Sequence, residues 1–258
     1  LSQTSRNILY ESAEDVAKIT INRPPLNVLN IEALMELNTA LERARDDSSV
    51  KVIVIKGAGE KAFSAGLDIK DHFPERIETA LNTFNRTFQL LASVDKPTLA
   101  VVQGFALGGG CELACGCDMI VASEKAQFGQ PEISVGAIPS VATVLLPRLI
   151  GRKKAFELIL TGDVIDAAEA KTLGLVNYVV PPEKLDDETM ELVSKLKDKS
   201  PVVIKLTRMA LYQSIDLDFK KAIDTVTGIY LNLLIKTEDG VEGLKAFMEK
   251  RKPQWKGK

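Results

Sequence analysis

Gly104-Phe105-Ala106-Leu107-Gly108-Gly109-Gly110-Cys111-Glu112-Leu113-Ala114 is the stretch on which the fold turns. Just before it, Thr98 to Gln103 spells T-L-A-V-V-Q, a short apolar run of the kind buried in a parallel sheet. After the three glycines comes a helix-compatible run. Three glycines in a row cost backbone entropy, so they suit a place where something must approach the main chain closely. A helix starting there offers free N–H groups and the positive end of its dipole. That is a natural seat for a negatively charged oxygen, whether an oxyanion or a phosphate. Glu112 lies just inside the helix start. The same glycines also suit a tight, closely packed strand-to-helix turn, and alone they leave both options open. No G-K-[ST] follows and G-x-G-x-x-G is absent here, so the stretch is neither a P-loop nor a dinucleotide fingerprint.

Outward from it, the alternation of strand and helix repeats. Upstream, Val16 to Ile21 has the period of a strand and Arg23-Pro24-Pro25 breaks it. Asn30 reads as an N-cap, with Ile31, Leu34, Leu37, Leu41 and Ala44 following at helical spacing. Lys51 to Gly57 predicts another buried strand, then a glycine-bearing loop, then a helix from about Pro74 to Ser93. Downstream, Asp118 to Ala122 and Val176 to Val180 read as short strands. Asp166 and Glu169 form a capping box and Gly174 stops that helix. From Lys184 the text is helical almost throughout, with Ser200-Pro201 as a helix start. The expectation is an α/β core over residues 1–195 and a helical C-terminal region over 196–258, without sequence repeats or low-complexity tracts.

Bulk properties narrow the function. The chain has 258 residues, 45% hydrophobic and 26% charged, ordinary for a globular protein. A net charge of −2 gives no overall pull toward nucleic acid or anionic membrane. No apolar run is long enough to span a bilayer, and the N-terminus lacks a signal pattern, so the expected location is cytoplasmic. Cys111, Cys115 and Cys117 make neither a disulfide framework nor a zinc spacing and read as small buried residues. No metal site is expected.

Two more segments stand out: Lys61-Ala62-Phe63-Ser64-Ala65-Gly66-Leu67-Asp68-Ile69-Lys70 and Phe128-Gly129-Gln130-Pro131-Glu132-Ile133. A lone loop glutamate such as Glu132 is usually solvated. Two carboxylates sharing a cleft would instead push each other's pKa values apart, giving one acid and one base. Sequence spacing does not show that Glu112 and Glu132 meet. His72, on a loop, suits a structural or exposed position, with the wall of a ligand pocket as the alternative.

Together with Asn22-Arg23-Pro24, Leu26-Asn27, Leu160-Thr161-Gly162, Ala167-Ala168-Glu169-Ala170, Gly174-Leu175-Val176, Glu242-Gly243, Ala246-Phe247 and Glu249-Lys250-Arg251, these segments resemble the crotonase, or enoyl-CoA hydratase/isomerase, superfamily in order along the whole chain. The resemblance implies a spiral of ββα turns with a helical C-terminal trimerisation region, assembled as a homotrimer or homohexamer. It implies an acyl-coenzyme A thioester as substrate, with no cofactor. By the same resemblance, the backbone N–H groups of Leu67 and Gly109 form an oxyanion hole. Glu112 and Glu132 hold a water between them, Glu132 giving a proton to carbon. Family isomerases often keep only the second glutamate, so both together imply hydration. Ala65, Lys61 and Lys70 match coenzyme A contacts, and Lys250, beside Phe247, matches a lysine that reaches a neighbouring subunit's ligand.

Where many hydratases of the family have Ile-Pro-Gly-Ala-Gly-Gly, this chain has Ile138-Pro139-Ser140-Val141-Ala142-Thr143. Ser140 takes the place of the glycine whose amide helps hold the catalytic water, and bulkier neighbours imply a reshaped acyl pocket. That replacement, Pro24-Pro25-Leu26-Asn27-Val28-Leu29, and Ser64-Ala65-Gly66-Leu67-Asp68 with Asp71-His72 resemble cyclohexa-1,5-diene-1-carbonyl-CoA hydratases. The alternatives are a straight-chain enoyl-CoA hydratase, a double-bond isomerase, or an RNA-binding homologue. The last is disfavoured by the acidity and the 5% aromatic content.

Overall fold

The structure is a computed structural model and describes residues 7–258. The first six residues, read above as lacking a signal pattern and as part of the core region, lie outside the described part. Among the described residues no helix is long and apolar enough to cross a membrane.

The chain opens with a hairpin, β1 (Ile8–Ala13) and β2 (Val16–Ile21), turned by Glu14 and Asp15, both at positive φ. Two central residues at positive φ match the twist of the flanking strands, though asparagine and glycine are the usual occupants. β1 is an edge strand exposed along most of its length, so it carries no clear sequence signal. Helix α1 (Ile31–Asp46) follows, and its cap is the predicted one, with Asn30 Oδ1 accepting from Ala33 N at 3.0 Å.

The chain then winds as a spiral. Each of the first three turns lays one strand in a large sheet and the next in a small one. The first turn is β3 (Val52–Gly57), β4 (Ala62–Ser64) and α2 (Ile77–Ser93). The second is β5 (Thr98–Val102), β6 (Phe105–Leu107) and α3 (Gly109–Gly116). The third is β7 (Met119–Ser123) and β8 (Gln127–Gly129), followed by α4 (Ala142–Leu149) and α5 (Arg152–Thr161). The last turn has β9 (Val164–Asp166), α6 (Ala167–Thr172) and β10 (Tyr178–Val180). The large sheet runs β1-β2-β3-β5-β7-β10, parallel from β2 onward; the small one runs β4-β6-β8-β9, with only β9 antiparallel. The predicted ββα spiral is therefore present.

Both faces of the large sheet are covered, which is why its strands read as continuous apolar runs. Ile53, Ile55, Ala100 and Val102 face the main core with α1 and α2 residues such as Leu37, Leu41 and Phe84. Val52, Val54, Leu99, Val101 and Val121 face the other way, against Leu192 and Val193 of α7 (Leu185–Lys197). The three cysteines are free and buried, as expected. The helix predicted from Pro74 starts at Ile77 instead, because Pro74 to Arg76 form a turn. The strand predicted over Val176 to Val180 begins only at Tyr178.

Helices α8 (Pro201–Ser214), α9 (Phe219–Asn232) and α10 (Glu238–Met248) complete the chain. Ser200 caps α8 as predicted, accepting from Val203 N at 3.2 Å. One buried ion pair ties this region to the core. Arg208 on α8 is 7% exposed and grips Asp118 with Nε at 2.8 Å and Nη2 at 3.0 Å. Its remaining N–H groups donate to the carbonyls of Leu91 and Val94, where α2 ends and needs positive charge. Asp118 in turn accepts from Thr98 N and Oγ1 and from the Tyr212 hydroxyl.

Candidate active site

The spiral brings the ends of β4, β6 and β8 side by side at one edge of the small sheet. The loops beyond them line a cleft of about 740 Å3. Gly108 is the hinge. Its φ of 51° and ψ of −129° suit glycine alone, and they turn β6 into α3 within one residue. A Cβ on Gly110 would stand 2.1 Å from the Ser64 carbonyl oxygen, so the helix start packs directly on the loop after β4. Close approach and strand-to-helix turning, alternatives in the sequence, are both present.

This packing places two backbone amides together. A Cβ on Gly109 would lie 3.3 Å from the Leu67 nitrogen. The Leu67 loop is held to Leu29 by Leu29 N donating to Gly66 O (2.8 Å) and Asp68 N donating to Leu29 O (2.9 Å). That bridge uses the groups on either side of Leu67 and leaves its own N–H facing away. Gly109 is the first residue of α3, whose amide has no helical partner. Among the described residues neither amide donates to an internal acceptor. Ser64 stiffens the loop: its Oγ donates to Asn27 O at 2.8 Å and accepts from Gly66 N at 3.1 Å.

Glu112, one turn into α3, is 2% exposed yet lines the cleft. Its Oε1 accepts from Val141 N at 2.8 Å and Ala142 N at 2.7 Å, the free amides at the start of α4. Burial pushes its carboxyl up, the neighbouring Glu132 charge adds to this, and the two amides oppose it; the result is about 7. Glu132 follows β8 in the short turn Pro131–Val135. Its Oε1 lies only 2.4 Å from where a Cβ on Gly108 would be. Its Oε2 is buried and without a hydrogen-bond partner among the described residues. Burial raises this carboxyl too, and the nearby His72 acts in the opposite direction. The two glutamates that spacing could not join thus share one cleft beside two free amides.

Other expected residues fall in different places. Ala65 and Ser140 line the cleft. The amides that reach Glu112 belong to Val141 and Ala142, one and two positions after Ser140; no side-chain signature announces a backbone donor. Lys61 and Lys70 are exposed and outside the lining. Phe247, 85% exposed, and Lys250 lie on the C-terminal region, also outside the cleft of this protomer. His72 lines the cleft rather than standing free of it. The apolar wall of Ile69, Ile77, Leu81, Val135 and Ile138 was not read from the sequence, because it comes from separate loops and a helix that meet only in the fold.

A buried carboxyl with a raised pKa makes stability depend on pH with a definite sign. Below about 4.5 Glu112 is protonated in both the folded and unfolded states. Between there and about 7 the folded state holds the extra proton, so stability falls as pH rises; above 7 the full cost of burying the charge is present. The loss is at most about 3 kcal/mol. We predict that Glu112→Gln flattens this component. Denaturant midpoints of both proteins at pH 5 and pH 8 check it, and equal losses in the two would contradict it.

Residues 11–258 match the family model for enoyl-CoA hydratase/isomerase, and the chain belongs to that family. It is 39% identical to a crotonyl-CoA hydratase of Syntrophomonas wolfei, over 95% of this chain and 96% of that one. It is 38% identical to a short-chain-enoyl-CoA hydratase of Clostridium acetobutylicum, with the same coverage of 95% and 96%. Among solved structures, enoyl-CoA hydratase from Bacillus anthracis superposes with a TM-score of 0.92 at 37% identity, over 98% of this chain and all of that one.

Proposed function

We propose that this enzyme is a hydro-lyase that adds water to a carbon–carbon double bond conjugated to the thioester of an acyl-coenzyme A. The observation that carries this reading is the pairing of Glu112 and Glu132 in one cleft beside the free amides of Leu67 and Gly109. As a water oxygen bonds to the β-carbon, Glu112 takes the water's proton and the electron pair moves onto the thioester oxygen. The two amides hold that enolate oxygen; they are placed in advance, so no reorganisation is needed as charge develops. Glu132 then gives its proton to the α-carbon. Ser140 belongs to the wall around the water. The chemistry is acid–base throughout and runs without a metal or nucleotide cofactor.

For the acyl group we propose the ring of cyclohexa-1,5-diene-1-carbonyl-CoA, in the anaerobic degradation of aromatic acids. The Ser140-Val141-Ala142 segment and the broad apolar wall support it. Short straight chains are the second reading, favoured by the activities for which the Syntrophomonas and Clostridium relatives are named. Rates of water addition to the ring diene and to crotonyl-CoA, followed by absorbance and mass spectrometry, separate them. A higher kcat/KM on the ring diene is expected; a higher value on crotonyl-CoA would move the chain to the short-chain reading.

Coenzyme A is assigned to the Ala65 carbonyl and to Lys61 and Lys70 near its phosphates, with Phe247 and Lys250 reaching a neighbouring subunit's ligand. This requires an assembly, and the C-terminal helices carry the apolar surface for one: Leu211, Ile215, Phe219 and Tyr230 are all more than half exposed. A homotrimer or a homohexamer (a dimer of trimers) is expected. Light scattering should give three or six times 28.1 kDa, and a monomer at micromolar concentration would remove the assembly.

A further inference from the structure

The apolar wall of the cleft takes two of its side chains, Ile77 and Leu81, from the start of α2. That helix is fixed unevenly along its length. Its later turns are pinned to α1 and the core. Phe84, Leu90 and Leu91 are buried, Thr87 Oγ1 donates to Asn38 Oδ1 at 2.8 Å, and Asn38 Nδ2 donates to the Thr83 carbonyl at 2.9 Å. Arg86 adds an ion pair to Glu42 on α1 at 3.0 Å. The first turn has none of this. Ile77, Glu78 and Thr79 are not buried, and no side chain caps the free N–H groups that a helix start presents.

A clasp of two residues outside the cleft lining holds that first turn. Arg76, at the cap position of α2, turns its guanidinium back to Asp71, with Nε 2.6 Å from Oδ1. Asp71 is buried, and its other oxygen accepts from Ile31 N at 2.8 Å. Ile31 is the first residue of α1, so its amide has no helical partner, and the carboxylate serves it as a cap from another part of the chain. One carboxylate thus joins the start of α1 to the start of α2. A second carboxylate near Arg76, Glu32 Oε1, stands 3.8 Å from Nη2 and is largely open to solvent, where such a pair contributes little. The clasp therefore depends on Asp71.

We propose that the Asp71–Arg76 clasp sets the size of the acyl group that the cleft accepts. Neither residue lines the cleft, so both act through Ile77 and Leu81 as positioning residues. With the ion pair formed, the first turn of α2 is drawn against the body and its two apolar side chains form one side of the cleft. Without it the turn is tied by backbone bonds such as Ile77 N to the Phe73 carbonyl at 3.0 Å. It is then free to move outward, where Glu78 and Thr79 already face solvent. The wall recedes and a longer acyl chain fits. The Leu67 amide keeps its place through the Leu29 bridge, and the Gly109 amide through the packing of Gly110 on Ser64. The proposal rests on the reading of the apolar wall as the acyl seat given above.

Acyl-length preference in Arg76→Gln tests it, a change at a half-exposed site that leaves Asp71 its bond to Ile31. The ratio of kcat/KM on trans-2-decenoyl-CoA to that on crotonyl-CoA should rise by about 10-fold or more, with little change on crotonyl-CoA itself. Arg76→Lys, which keeps a charge for Asp71 without the planar fork, should shift the ratio less. A loss of stability alone would lower both rates together and leave the ratio where it was. A ratio in Arg76→Gln within about two-fold of wild type overturns the proposal. Hydrogen exchange of the free protein reads the clasp without turnover. Amides of residues 77–81 should exchange faster in Arg76→Gln, and those of residues 83–91 should not. Unchanged exchange over 77–81 also overturns it. Calorimetric binding of saturated decanoyl-CoA and butanoyl-CoA separates the clasp from the hydratase reading. A shift toward decanoyl-CoA in Arg76→Gln, with no hydration of any acyl-CoA by the wild type, would overturn that reading and leave the clasp standing.

Discussion

Glu132→Gln is expected to lower kcat by between about 10²- and 10⁴-fold while leaving affinity for the coenzyme A portion within a few-fold. The amide keeps the size of the carboxyl but has no proton to give to carbon. Gly108 leaves room for the Oε1 atom and no more, so the substituted group should sit where the original did. The loss should therefore appear in kcat and not in KM, the mark of an interaction made only in the transition state. Glu112→Gln should also be severe. The double variant should be scarcely worse than either single one, because in the proposed mechanism the two carboxyls act as a unit. Steady-state kinetics of the three variants checks this. A Glu132→Gln enzyme turning over at near wild-type rate would remove the proposed mechanism.

Arg208→Ala is expected to cost about 3–5 kcal/mol of stability, the range for removing one partner of a buried ion pair. The guanidinium meets both oxygens of Asp118 and the carbonyls at the end of α2. Without it Asp118 keeps its Thr98 and Tyr212 donors but loses its only cationic partner among the described residues. Melting should drop by roughly 10 °C. Arg208→Lys should recover only part of this, since an ammonium cannot present the same planar fork. Calorimetry or a denaturant titration decides it. A shift within about 0.5 kcal/mol, the usual size for a surface change, would mean that the Arg208–Asp118 pair does not hold α8 in place.

What could be read from the sequence follows the range of the forces involved. Asn30, Ser200 and the Asp166–Glu169 box were legible as caps because a cap is closed within three or four residues. The strands β3 and β5 were legible because burial on both faces writes a continuous apolar run. The three-residue strands β4, β6 and β8 were not. They exist through pairing with segments some 20–45 residues away, and three residues cannot show a period. The site divides in the same way. The three glycines announced a close approach, but what approaches is the Ser64 carbonyl and the Glu132 carboxyl, both distant in sequence. Glu112 and Glu132 could be named from a resemblance, yet their meeting, and the Val141 and Ala142 amides that hold Glu112, became visible only once β6, β8 and α4 were side by side. His72 looked like an ordinary loop histidine because nothing local marks the cleft beside it.

The spiral assigns different duties to different turns. The amides come from the loops after β4 and β6, which grip one another through backbone atoms and tolerate almost no added volume. Much of the apolar wall comes from the segment between β8 and α4 and from the approach to α2, where side chains rather than main chain face the cleft. On the proposed mechanism, a change of acyl preference can therefore arise by editing exposed loop positions while the two free amides stay untouched. In this architecture the reaction is the inherited part and the substrate is the adjustable part, so near relatives can share a chemistry while differing in the molecule they consume.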